Sequence, residues 1–131
     1  ERDALYAAMV LLNGIAKRSQ YLSESLDQIK KDFGPSFYKR IDIKFSNQDE
    51  KNYLVEFIST NIPEKINSHR IMDISKIDGI KLRINTNFWL LFRFSGTEPL
   101  LRLYCEAPSQ IYLDEVLGWS QKFINLARYK K

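Results

Sequence analysis

The densest chemistry in the chain lies in Arg93-Phe94-Ser95-Gly96-Thr97-Glu98-Pro99-Leu100-Leu101-Arg102. Gly96 permits either a positive φ or the close approach of a ligand to the backbone. Successive N–H groups around such a glycine can form a concave nest for an anion. The Ser95 and Thr97 hydroxyls flank the glycine and can donate to oxygen. Arg93 brings a planar fork able to hold two oxygens of one phosphate, and Pro99 sets the exit into the next segment. The chemistry these residues suit is recognition of a tetrahedral dianion, by analogy with other glycine-rich phosphate loops. The bland alternative is a tight β-connection whose Ser and Thr satisfy their own backbone and whose Arg pairs with Glu98.

Other groups offer less. Ser95 lacks the Gly-x-Ser-x-Gly flanks of a nucleophile elbow and has no base adjacent in sequence. His69 is the only histidine, so a metal site or a Ser-His system has almost no material. Cys105 sits on an apolar strand face and reads as packing. Trp89, Phe92 and Phe94 read as core rather than as a base-stacking platform. The carboxylates show no clustering for acid–base work or Mg²⁺, so no catalytic and no metal residue is assigned.

The elements that must position the loop follow from periodicity. Leu5, Met9, Leu12 and Ala16 mark a helix from Arg2 to Lys17, with Asp3 in its first turn. Ala7, Ala8, Val10 and Leu11 make its other faces apolar too, the pattern of a helix covered on several sides. A second helix, Leu22 to Phe33, places Leu22, Leu26, Ile29 and Phe33 on one face and stops at Gly34-Pro35, where a domain boundary is expected. After it the period becomes two. Ile41, Ile43 and Phe45 define a strand, and Asn47 with Glu50 caps a helix carrying Leu54, Phe57 and Ile58. Asn61 to Arg70 reads as a loop and Ile71 to Ile77 as an irregular strand. Asp78-Gly79 is a turn signal before the strand Ile80–Ile84. Phe88–Phe94 is apolar on both faces and therefore central, and Leu100–Ala107 alternates. A last helix starts near Ser109, with Leu113, Val116, Leu117, Phe123, Ile124 and Ala127 inward and Arg128, Lys130 and Lys131 at its end. The order is βαβββα or close to it. The fold class is α+β: an antiparallel four-stranded sheet with helices on one face. The expected division is residues 1–35, helical, and 36–131, the α+β domain.

Composition bounds the function. The 131 residues are 44% hydrophobic and 27% charged, enough for a packed core and against wholesale disorder. Ala4 to Leu12, the longest uncharged apolar run, is far short of the ~20 residues of a membrane span, so no membrane partner is expected. A single cysteine favours a reducing, cytoplasmic setting. The chain starts at Glu1 without a leader pattern, as an excised piece of a longer one would. The net charge of +4 resides wholly in residues 67–131, where 10 Lys/Arg face 6 Asp/Glu. Such an excess suits an anionic partner but is too small and scattered to name nucleic acid, although a nucleic-acid-binding module is the alternative reading. A protein–protein module using the apolar first helix is a third.

At Arg93–Arg102 the sequence resembles the phosphate-binding loop of the phosphoglucomutase/phosphomannomutase (phosphohexomutase) superfamily. The similarity extends over Asp78 to Ala107, about a quarter of the chain, through Asp78-Gly79-Ile80-Lys81-Leu82, Trp89-Leu90-Leu91-Phe92 and Leu103-Tyr104-Cys105-Glu106-Ala107. Glu1-Arg2-Asp3-Ala4-Leu5-Tyr6-Ala7-Ala8 is similar to the last long helix of the family's third domain. The resemblance implies the end of domain three followed by domain four, a TATA-binding-protein-like α+β fold, in a four-domain enzyme. Such enzymes interconvert hexose 1-phosphate and 6-phosphate through a hexose bisphosphate, using a phosphoserine and Mg²⁺. Carried over by position, Arg93, Ser95, Gly96 and Thr97 would contact the phosphate that is not reacting, with Arg102 a second positive charge. The Ser-His-Asn-Pro phosphoserine loop, the Asp-x-Asp-x-Asp metal loop and the Gly-Glu-x-Ser-Gly sugar loop are absent from this sequence. The resemblance therefore implies that the chain partners domains one to three, does not turn over substrate alone and does not choose the sugar.

Overall fold

A computed structural model describes residues 3–19 and 21–129. Two compact units result, Glu1–Pro35 and Ser36–Lys131.

The first unit is a pair of helices, α1 (Ala4–Arg18) and α2 (Leu22–Phe33). Asp3 lies one position outside α1 rather than in its first turn, and its Oδ1 accepts the Tyr6 N–H at 2.8 Å, satisfying one orphan donor. At α2 the sense is reversed: Glu24, inside the first turn, reaches back to accept the N–H of the cap residue Tyr21 at 2.8 Å. No residue of either helix is buried; Leu5, Met9, Leu12 and Phe33 are all exposed. Arg2, expected in the first helix, and Lys130 and Lys131, expected to complement the last one, lie outside the described residues.

The second unit runs β1 (Phe37–Lys44), α3 (Gln48–Thr60), β2 (Lys65–Ile66), β3 (His69–Arg70), β4 (Asp73–Ser75), β5 (Ile80–Asn85), β6 (Phe88–Phe94), β7 (Leu100–Ala107) and α4 (Gln110–Tyr129). Its sheet has the order β1-β7-β6-β5-β4, antiparallel throughout. The sheet has five strands where four were expected, because the irregular strand read at Ile71–Ile77 joins it as a three-residue edge strand. β6 is central, as its two apolar faces required. A second difference lies in residues 61–70, where the expected loop holds a small hairpin of β2 and β3. Asn67 takes the left-handed turn position with φ 52°, and Ile66 is completely buried. One apolar residue among polar neighbours is too sparse a pattern to announce such a hairpin.

Alternation puts Leu82, Leu90, Phe92, Leu101, Leu103 and Cys105 on one sheet face, under Leu54 and Ile58 of α3 and Val116 and Ile124 of α4. Full burial of each large side chain is worth about 1.5–3 kcal/mol. The other face carries Arg93, Arg102, Tyr104, Glu106 and Trp89. Trp89 is thus not core: it is half-buried on the open face, donates Nε1–H to Glu106 at 2.9 Å, and has the Lys81 ammonium 4.2 Å from its ring centroid. Gly79 enters β5 with φ 100°, its Cα hydrogens facing the β6 backbone; a Cβ there would lie 2.4 Å from the Phe92 carbonyl oxygen.

Two contacts fix where α3 begins. Asn47 Oδ1 accepts the Glu50 N–H at 2.9 Å, while the Glu50 carboxylate accepts the Ser46 N–H at 2.7 Å. Arg128, near the end of α4, donates Nε–H to Glu50 at 2.8 Å and a second N–H to the Lys44 carbonyl. The Ser46 N–H first, and Arg128 after it, hold the Glu50 carboxyl below its usual range. Through this network α3 is moored to the end of β1, beside the β6–β7 connection.

Candidate functional site

The connection after β6 is closed at its base. Ser95 N–H donates to the Leu100 carbonyl at 2.8 Å, and Phe45 N–H donates to the Pro99 carbonyl at 3.1 Å. The Ser95 side chain is 6% exposed, and its Oγ accepts the Glu98 N–H at 3.2 Å. Part of the bland reading therefore holds: this serine does stitch its own loop. Accepting through a lone pair leaves the hydroxyl proton available for a second bond. Gly96 and Thr97 are exposed at the loop tip. Gly96 does not have a positive φ, and an added Cβ would meet nothing within 4 Å. Of the two reasons for a glycine here, left-handed backbone does not apply; open room for an approaching group remains.

The arginines fall on the open face of the sheet. Arg93 and Arg102 are directly opposite each other on β6 and β7. Like charges so placed repel, and each is offset by a carboxylate. The Arg93–Glu98 pair of the alternative reading does not form. Arg93 Nε–H donates to Asp78 at 3.1 Å, and Glu98 takes Arg102 instead. Asp78 pushes the Arg93 guanidinium further above its already high range. The Nε of Arg102 is shut from solvent with no partner, a donor left unspent.

On the helix side, Gly96, Thr97 and Glu98 border a cleft of about 240 Å³ whose opposite wall is Asn47, Gln48 and Lys51 of the α3 start. Lys51 Nζ donates to the Ser95 carbonyl at 3.4 Å. Sequence reasoning missed Lys51. It sits 44 residues before Ser95, and only the mooring of α3 brings it there.

The remaining candidates stay apart from this loop. His69 contacts Glu115 at 3.3 Å and packs edge-on against Phe88 and Tyr112, at the other end of β6. Among the described residues no three His, Cys, Asp or Glu side chains converge, so the donor set does not fit a Mg²⁺ centre. No described helix is long and apolar enough to cross a membrane. Four arginines of the open face are matched by carboxylates (Arg40 with Asp42, Arg83 with Asp73, Arg93 with Asp78, Arg102 with Glu98), so the nucleic-acid reading gains no support. Burial pushes the Cys105 thiol up to about 12, with the charge of Glu106 adding to it. At pH 8 the reactive thiolate is then scarce. The folded chain should resist iodoacetamide at pH 8 and react only after denaturation, as read by mass spectrometry; fast labelling of the native chain would contradict this burial.

The sequence profile of the family described as phosphoglucomutase/phosphomannomutase, C-terminal domain, matches residues 46–117, from the end of β1 into α4. The chain belongs to this family. The whole Arg93–Arg102 loop lies inside the matched stretch. Among relatives of this phosphoglucomutase/phosphomannomutase C-terminal domain, a probable phosphoglucosamine mutase of Methanosphaera stadtmanae is 26% identical over 94% of the chain and 25% of its own length. A phosphopentomutase of Thermococcus kodakarensis is 28% identical over 85% of the chain and 23% of its own length. A phosphomannomutase of Methanocaldococcus jannaschii is 32% identical over 82% and 22% respectively. The chain spans about a quarter of the length of such relatives. The fold agrees with the open form of pp63/parafusin, a phosphoglucomutase from Paramecium, with TM-score 0.72 at 20% identity over 98% of this chain and 28% of that one.

Proposed function

We propose that this chain is the phosphate-gripping part of a longer sugar-phosphate mutase, one that interconverts hexose 1-phosphate and 6-phosphate through a hexose bisphosphate. The observation that carries the reading is the direct opposition of Arg93 and Arg102 beside an exposed Gly96-Thr97 tip. Each guanidinium is held by a carboxylate that is more than half exposed, and a phosphate dianion can displace these partners and take both forks with bidentate geometry. In this reading Arg93, Ser95, Gly96 and Thr97 hold the phosphate that is not reacting, and Arg102 adds the second charge. Binding at this remote group orients the sugar for phosphoryl transfer elsewhere.

Phosphoserine, Mg²⁺ and the sugar-reading loop belong to domains one to three of the longer protein, with residues 1–35 as the end of domain three. The exposed apolar side chains of α1 and α2 suit a helix pair completed by such a neighbour. The relatives named above carry names for three different sugars, which supports a chain that reads the phosphate rather than the ring. The lone, buried Cys105 suits a reducing cytoplasmic setting.

Titration of the 131-residue chain with inorganic phosphate, followed by backbone NMR, tests the reading. Amide shifts should concentrate at Arg93–Arg102, with Gly96 and Thr97 moving most. Shifts confined to other segments, or none at all, would sink it.

A further inference from the structure

The loop tip has a wrong-sign group in it. The Ser95 carbonyl oxygen, a partial negative charge, points toward the cleft on the helix side that Gly96 and Thr97 border. Lys51 is the residue that answers this charge, with Nζ 3.4 Å from the oxygen. The two flanks of Lys51 hold it there. Asn47 caps α3 one turn earlier, and Glu50 ties the helix start to Ser46 and Arg128.

The consequence reaches the neighbouring amide. In a trans peptide the C=O and N–H point in opposite directions, and no cis peptide occurs among the described residues. Drawing the Ser95 carbonyl toward α3 therefore turns the Gly96 N–H away from α3. The Gly96 N–H is thereby left on the side of the peptide opposite Lys51.

We propose that Lys51 is a positioning residue for the phosphate loop: its ammonium holds the Ser95 carbonyl, masks that oxygen, and sets the Gly96 N–H on the side of the peptide opposite Lys51. This deepens the phosphate-gripping reading and rests on it. Lys51 acts through the Ser95–Gly96 peptide and does not touch the phosphate.

The test uses the 131-residue chain with Lys51→Met, which keeps the aliphatic stem, and Lys51→Arg, which keeps the charge. Two quantities are read: the Gly96 amide shift and hydrogen-exchange rate without phosphate, and the affinity for inorganic phosphate. In Lys51→Met the Gly96 amide should shift and exchange faster while the β5–β6 amides and the melting temperature stay as in the parent. Phosphate affinity should fall roughly 3- to 10-fold, the worth of one hydrogen bond. Lys51→Arg should restore both within about twofold by the same reckoning. An unchanged Gly96 amide and unchanged affinity in Lys51→Met overturns the proposal, as does a loss that Lys51→Arg fails to restore. The two readings fail separately. If the parent chain binds phosphate at Arg93–Arg102 and Lys51→Met binds equally well, only the role of Lys51 falls. If the parent shows no phosphate shifts, the phosphate reading falls and takes this one with it.

Discussion

Replacing Gly79 by alanine should lower the melting temperature of the chain by at least about 10 °C. Gly79 has φ 100°, and an added Cβ would sit 2.4 Å from the Phe92 carbonyl oxygen, 3.2 Å from the Arg93 Cα and 3.2 Å from Leu91 Cδ1. A side chain in left-handed backbone costs about 1–2 kcal/mol. The clash adds roughly 1–3 kcal/mol more, because the nearest atom belongs to the backbone of the central strand and cannot swing aside. For a domain of 60–100 residues each kcal/mol moves the midpoint by about 4–8 °C. Circular-dichroism melting of the 131-residue chain reads the effect. Gly96→Ala is the control: its Cβ meets nothing within 4 Å and its φ is not positive, so its midpoint should stay near that of the parent. A Gly79→Ala chain melting like the parent would show that β5 and β6 do not approach as described.

Arg93→Ala should weaken phosphate binding by about 10- to 100-fold, the range for losing hydrogen bonds to a charged group. Mutase activity of the longer protein should fall with it, and by more than in Arg102→Ala. The ranking follows from what each guanidinium already does. The side chain of Arg93 is 36% exposed and its Asp78 partner 71%, so a phosphate can displace the carboxylate at little cost. Arg102 is 21% exposed and is engaged by Glu98 of the loop itself. For the same reason Arg93→Ala should leave the melting temperature almost unmoved, which separates binding from stability in one variant. Arg93→Lys should recover little, since a single ammonium cannot reproduce the planar fork. Titration calorimetry with inorganic phosphate and an assay on the longer protein both read this. Wild-type affinity in Arg93→Ala would remove Arg93 from the site.

The two predictions also show why parts of the site were legible in the chain and others were not. Local grammar was readable. The bounds of α2 at Leu22 and Phe33, the Asn47 cap, the central position of β6 and the inward face of α4 all express short-range periodicity or contacts three to four residues apart. Gly79 was visible as a turn signal, but its steric role was not, because the crowding atoms come from residues 91–93. Ion-pair partners were not legible for the same reason: Glu98 is near Arg93 in sequence, yet it pairs with Arg102, and Arg93 pairs with Asp78.

The sequence by itself determined the class of the fold and the family, and it singled out the loop proposed to hold the phosphate. These are properties of patterns written over a few consecutive residues. Only the tertiary structure decided that Arg93 faces Arg102 across two strands, that Ser95 turns inward, and that Lys51 reaches the Ser95 carbonyl from another element. Those facts depend on antiparallel register and on the mooring of α3 by Glu50 and Arg128, 78 residues apart. Contacts at that separation are selected by packing the whole core at once, so no local stretch of chain encodes them.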